Sequence, residues 1–204
     1  MNIRRRVTLT AGLTLIVITL PVVRAVDGQA ERLRPPGDFE GIADLDARSK
    51  ALFGEAALVM RHPRCVNCHP DGDRPLQGNR PAYPHQPPVE RGDHRGQGVT
   101  TMRCTTCHGP ENFDAGRVPG VEGWRLADRT MAWEEKSAGD ICRQILDRNR
   151  NGNHDKDFIV EHLKHHPLVG WAWSPGAGRD SAPGTWGEFR ALIDAWDKSG
   201  AKCP

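Results

Sequence analysis

Two five-residue segments concentrate the residues able to do chemistry: Cys65-Val66-Asn67-Cys68-His69 and Cys104-Thr105-Thr106-Cys107-His108. Both read C-x-x-C-H, the pattern of c-type haem attachment. Two thiols three positions apart on one turn can add to the two vinyl groups of a single porphyrin, and the adjacent histidine then reaches the iron. The pattern predicts two covalently attached c-type haems, with Cys65, Cys68, Cys104 and Cys107 as attachment points and His69 and His108 as iron ligands. Four thiolates could instead hold one tetrahedral zinc, but such a site has no use for a histidine after each pair. With 9 histidines in 204 residues, chance would place one after both pairs with a probability of about 0.002. A thioredoxin-like redox pair needs only one C-x-x-C, in a βαβ setting that neither segment has.

The residue on the far side of each iron decides potential and reactivity. Histidine lowers the potential and closes the iron, methionine raises the potential, and a vacant position permits catalysis. His85, in the Pro-rich stretch before the second motif, can fold back onto the second haem, and His162 sits on the apolar face of a helix-forming segment. Met131, beside Trp133, is the methionine candidate. His62, His94 and His166 carry less weight, His62 because it lies too near Cys65 to reach the opposite face of its own haem. Each has a plainer reading, since lone histidines are mostly surface residues and methionines mostly core filler. Trp171 and Trp173 could line a haem edge, although core packing is the better expectation.

Asp147, Asn149, Asn151 and Gly152 imitate the opening of an EF-hand calcium loop. Phe158 stands where the bidentate glutamate belongs, so calcium is not expected and an Asn-Gly turn is. Cys142 and Cys203 remain, and an oxidising compartment favours a disulfide between them over a buried free thiol at Cys142. Closing a loop of about 60 residues would stabilise the fold by about 4 kcal/mol in the chain-entropy picture.

The elements that must position these groups are helices and long loops. Residues 26–43 are polar and rich in Pro and Gly, which predicts a loose arm. Leu45, Leu52, Phe53, Ala56, Val59 and Met60 form one stripe of a helix over Asp44–Met60. Residues 70–103 hold 6 Pro and 5 Gly in 34 positions and predict an ordered loop that wraps a porphyrin. Another loop runs on to Trp133. Ser137 caps a helix with Asp140 closing its capping box, and a further helix spans Asp155–His166. The last helix carries the clearest signature, with Thr185 as cap, Glu188 closing the box, Phe189, Leu192, Ile193 and Trp196 as its stripe, and Gly200 as its stop. No strand-like alternation of useful length occurs, so the expected fold is all-α. The proximal histidines stand 39 positions apart, too few for two tandem single-haem domains, so residues 44–204 should form one di-haem domain.

Residues 1–25 read as a signal peptide, with Arg4 to Arg6, an apolar stretch over Val7–Val23 and a small-x-small cleavage site before Val26. An uncleaved leader would instead anchor the chain in the membrane. Either way the body lies outside the cytoplasm, in the periplasm. Without the leader 24 basic residues face 26 acidic ones, and the arginines are scattered, which argues against nucleic-acid binding. With 37% hydrophobic and 26% charged residues, neither a disordered chain nor a multi-span membrane protein fits.

The chain resembles small exported two-haem proteins labelled as a cytochrome subunit of an isoquinoline 1-oxidoreductase type enzyme. The stretches Arg61–Pro70, Met102–His108, Leu168–Trp173 and Gly200–Pro204 carry the likeness, although no molybdopterin-binding or iron–sulfur pattern is present. More distantly it is similar to the di-haem small subunit of periplasmic nitrate reductase, which has histidine on both sides of each iron. That likeness implies His85 as the distal ligand of the second haem, while the Trp-rich C-terminal third departs from the pattern. The expected function is an electron carrier rather than an enzyme. It would pass single electrons from a periplasmic dehydrogenase or hydroxylase to a respiratory acceptor. The rival is a haem enzyme of peroxidase or thiol-oxidising type with one open or displaceable iron site.

Overall fold

The computed structural model describes residues 32–80, 82–92 and 96–204. The leader, residues 26–31 of the arm and His94 lie outside the described residues. The described chain is rich in helix with little sheet. In chain order its α-helices are α1 (Leu45–Met60), α2 (Pro63–Val66), α3 (Ala138–Leu146), α4 (Lys156–His165), α5 (Pro167–Gly170) and α6 (Trp186–Lys198). None of them is long and apolar enough to cross a membrane.

The four longer helices begin where the sequence places their starts, at Asp44, Ser137, Asp155 and Thr185. Asp44, Ser137, Asp155 and Thr185 each accept a hydrogen bond from a backbone N–H of the first turn, which satisfies a donor the helix itself cannot. Thr185 and Glu188 complete a reciprocal capping box. Ser137 and Asp140 do not: the shorter Asp140 carboxylate accepts from the Ser137 hydroxyl at 2.6 Å instead of reaching back to the backbone. The shared core lies where α1 packs on α6, with α3 and α4 beside them. Phe53 meets Trp196 there at 4.9 Å between ring centroids. The hydroxyl of buried Ser49 accepts from Lys202 N–H at 2.9 Å, and Trp196 Nε1 donates to the Lys202 carbonyl at 3.0 Å, so the tail is tied to the core.

Cys142 and Cys203 form the disulfide, across 61 positions of sequence. It sits beside Gly139, where a Cβ would come within 2.4 Å of the Pro204 carbonyl oxygen. Only glycine lets the terminus lie this close to α3.

Two expectations are corrected. Over residues 32–43 the arm is packed, not loose: Leu33 and Phe39 are buried in the core, and Arg34 lies 4.2 Å above the Phe39 ring. Two anchoring side chains suffice to fix a polar segment whose composition alone suggests mobility. The Pro/Gly-rich wrap also contains a little sheet. Strands β1 (Leu76–Gln77) and β2 (Tyr83–Pro84) pair antiparallel, as do β3 (Gly98–Val99) and β4 (Met102–Arg103). Each reversal of the wrap brings backbone donors and acceptors face to face, and they pair. At two residues, such strands are too short to leave an alternating pattern in the sequence.

Candidate functional site

Both C-x-x-C-H segments fold into the same turn. The His69 N–H donates to the Cys65 carbonyl at 3.1 Å, and the His108 N–H donates to the Cys104 carbonyl at 2.9 Å. This i+4 to i closure gathers two sulfurs and an imidazole on one side of a single turn. The turns then take the same supports. Nδ1 of His69 lies 2.7 Å from the Met131 carbonyl oxygen, and Nδ1 of His108 lies 2.6 Å from that of Pro119. A carbonyl only accepts, so Nδ1 carries the proton and Nε2 keeps its lone pair. Each ring is also stacked on an indole, His69 on Trp133 at 3.6 Å and His108 on Trp124 at 4.5 Å, with planes within 9° and 8° of parallel. Burial pushes His69 down to about 4 and lowers His108 as well, so both rings are neutral near pH 7. A neutral imidazole with one nitrogen held by a carbonyl and the other free is the form that ligates a metal.

The two motifs border two cavities, of about 530 and 730 Å³. Cys65, Cys68 and His69 line the first; Cys104, Cys107 and His108 line the second, along with Cys68. Three of the four cysteines line one cavity each, Cys65 the first and Cys104 and Cys107 the second, while Cys68 stands in the wall between them. Among the described residues no group of three or more His, Cys, Asp or Glu side chains gathers at metal-binding distance. Burial raises the Cys65 and Cys68 thiols, to about 12 and about 11, so both are protonated thiols.

The remaining histidines sort by what holds their Nδ1. In His85, Nδ1 lies 2.9 Å from the Pro87 carbonyl oxygen, so this ring has the same tautomer as His69 and His108. His85 lines the second cavity with its centroid 5.9 Å from that of His108. In His62 and His166, by contrast, Nδ1 accepts, from Arg64 N–H at 3.3 Å and from Leu168 N–H at 3.2 Å. Each caps a one-turn helix that begins His-Pro, α2 and α5, and its neutral ring carries the proton on Nε2.

His162 lines the first cavity, as does the Met131 side chain, whose backbone carbonyl holds His69. Sequence reasoning missed His154, which lines that cavity too. The rings of His154, Phe158, His162 and His166 follow one another along one face of α4, with centroids 3.7, 6.1 and 4.4 Å apart. Extending the i, i+4 stripe one step back from Phe158 would have found it. The Asn-Gly turn positions it: Asn151 accepts from the His154 N–H at 2.9 Å and donates to the His154 carbonyl at 3.0 Å.

The indoles behind the histidines were also missed as a pair. Trp124 does more than support His108, for it lines both cavities and meets Trp171 edge-on at 5.0 Å. Trp171 also lines both cavities and donates from Nε1 to Asn112 Oδ1 at 2.9 Å. Trp173 packs in the core against Phe189, as expected. Asn112 accepts from Gly120 N–H at 3.0 Å as well, which ties the loop that presents the Pro119 carbonyl to the tryptophan wall. Comparison of the chain with protein-family models, with curated proteins and with solved structures returns no match.

Proposed function

We propose that the chain is a periplasmic di-haem c-type cytochrome that carries single electrons, with one haem attached through Cys65 and Cys68 and the other through Cys104 and Cys107. The observation that carries this reading is the duplicated support: each motif histidine has its Nδ1 proton held by a carbonyl, has its ring stacked on tryptophan and lines a cavity. A c-type haem supplies a one-electron iron couple whose potential follows axial ligand, burial and nearby charge. His69 and His108 would each hold one iron; His85 would supply a further imidazole to the second site and His162 to the first. Met131 serves through its carbonyl. The chain's two sites share a wall that includes Cys68, Trp124 and Trp171, so an electron need not cross solvent between them.

Upstream the partner is a periplasmic dehydrogenase or hydroxylase and downstream a respiratory acceptor; the carrier itself is not an enzyme. Intact mass of the protein from a host competent in periplasmic haem attachment tests the reading. The expected mass is that of the chain from Val26 plus two haems. A haem-free mass from such a host overturns it.

A further inference from the structure

The wall between the two cavities contains a buried charge with no ion-pair partner among the described residues. Arg64 stands on α2 directly before Cys65, is 6% exposed and lines both cavities. Nη2 donates to the Gly78 carbonyl at 2.6 Å and to Asn79 Oδ1 at 3.0 Å, but its buried Nε has no hydrogen-bond partner. No carboxylate of the described residues lies within ion-pair distance. Burial lowers its pKa and Arg179 adds to the effect, while Asp180, beyond ion-pair distance, offsets it only in part. The second cavity as a whole is cationic, with Arg64, Arg103, Arg117, Arg125 and Arg179 against the single carboxylate of Asp114. Leaving a buried guanidinium uncompensated costs several kcal/mol. The chain tolerates this where the occupant of the cavity brings the anion, and a porphyrin brings two carboxylates.

We propose that Arg64 is a cation shared by both sites, pairing with a carboxylate of the bound porphyrin and raising the reduction potentials of the two centres together. This rests on the di-haem reading above. An added electron is stabilised by a nearby buried positive charge, and Arg64 borders both places where that electron resides. Arg179, which lines only the second cavity, acts on one centre.

Spectroelectrochemical titration of the haem-loaded protein tests this. Arg64→Gln removes the charge while retaining an amide donor, and should shift the reduction equilibrium of both centres about tenfold toward the oxidised form, or about 59 mV each for a one-electron couple. Arg179→Gln should move one centre only, and Arg64→Lys should leave both within about threefold of the parent. Asn79→Asp places a carboxylate on Arg64 without removing it. It serves even where Arg64→Gln fails to fold, since lowering the first centre, whose cavity Asn79 does not line, requires the shared guanidinium. Potentials that stay unmoved in Asn79→Asp, or a first centre unaffected in Arg64→Gln, overturn the proposal. A protein without two haems refutes the underlying reading; two haems with unshifted potentials refute the role of Arg64 alone.

Discussion

Replacing His85 by alanine should change one centre and leave the other untouched. His85 lines the second cavity and not the first, and its ring centroid lies 5.9 Å from that of His108. The segment carrying it is held by backbone contacts that the substitution leaves intact: the His85 N–H donates to the Pro75 carbonyl at 2.9 Å, and Arg74 donates to the His85 carbonyl at 3.0 Å. The truncation therefore removes the proposed ligand without releasing the loop. One centre of two should become high-spin, so about half of the low-spin ferric signal in electron paramagnetic resonance and visible absorption is lost. Added imidazole should restore it by entering the space the side chain leaves. Haem content by mass should stay at two. A spectrum that remains wholly low-spin, or one in which both centres change, refutes the reasoning about which cavity His85 serves.

On the same logic His162→Ala should convert the first centre and His154→Ala should not, because His162 is carried on the body of α4 beside His69; conversion by His154→Ala instead would exchange their roles. Cys203→Ser opens a crosslink spanning 61 positions, worth about 4 kcal/mol, and with a urea slope of about 2 kcal/mol per molar the midpoint should fall by about 2 M. A fall under about 0.5 M at unchanged slope counts against that account. Burial pushes His62 down to about 4, below its ordinary 6.5, so the unfolded chain takes up that proton first. Stability present above pH 6.5 is then lost as pH falls toward 4, by on the order of 1–2 kcal/mol for this half-buried group. His62→Asn, which keeps a cap acceptor but does not titrate, should remove that part of the slope in urea denaturation; an unchanged slope assigns it elsewhere.

Short-range chemistry was legible in the sequence. The spacing of Cys65, Cys68 and His69 and its repeat at Cys104 need only one turn of backbone to converge, and one turn is what local sequence specifies. The helix starts at Asp44, Asp155 and Thr185 were readable for the same reason, since a cap and the N–H it satisfies lie within three positions. The Cys142–Cys203 bond was legible by elimination, because four of the six cysteines are taken by the motifs. What spans long distances was not. Met131 supports His69 across 62 positions, and the Asn112 to Trp171 bond that braces the second site spans 59. Nothing in a lone carbonyl or asparagine marks its partner, because a backbone acceptor is the same chemical group at every residue. The burial of Leu33 and Phe39 in the arm belongs to the same class. So does the placing of Arg64 between the two cavities, where an arginine ordinary in the sequence becomes an unpaired buried cation only once the folded walls close around it.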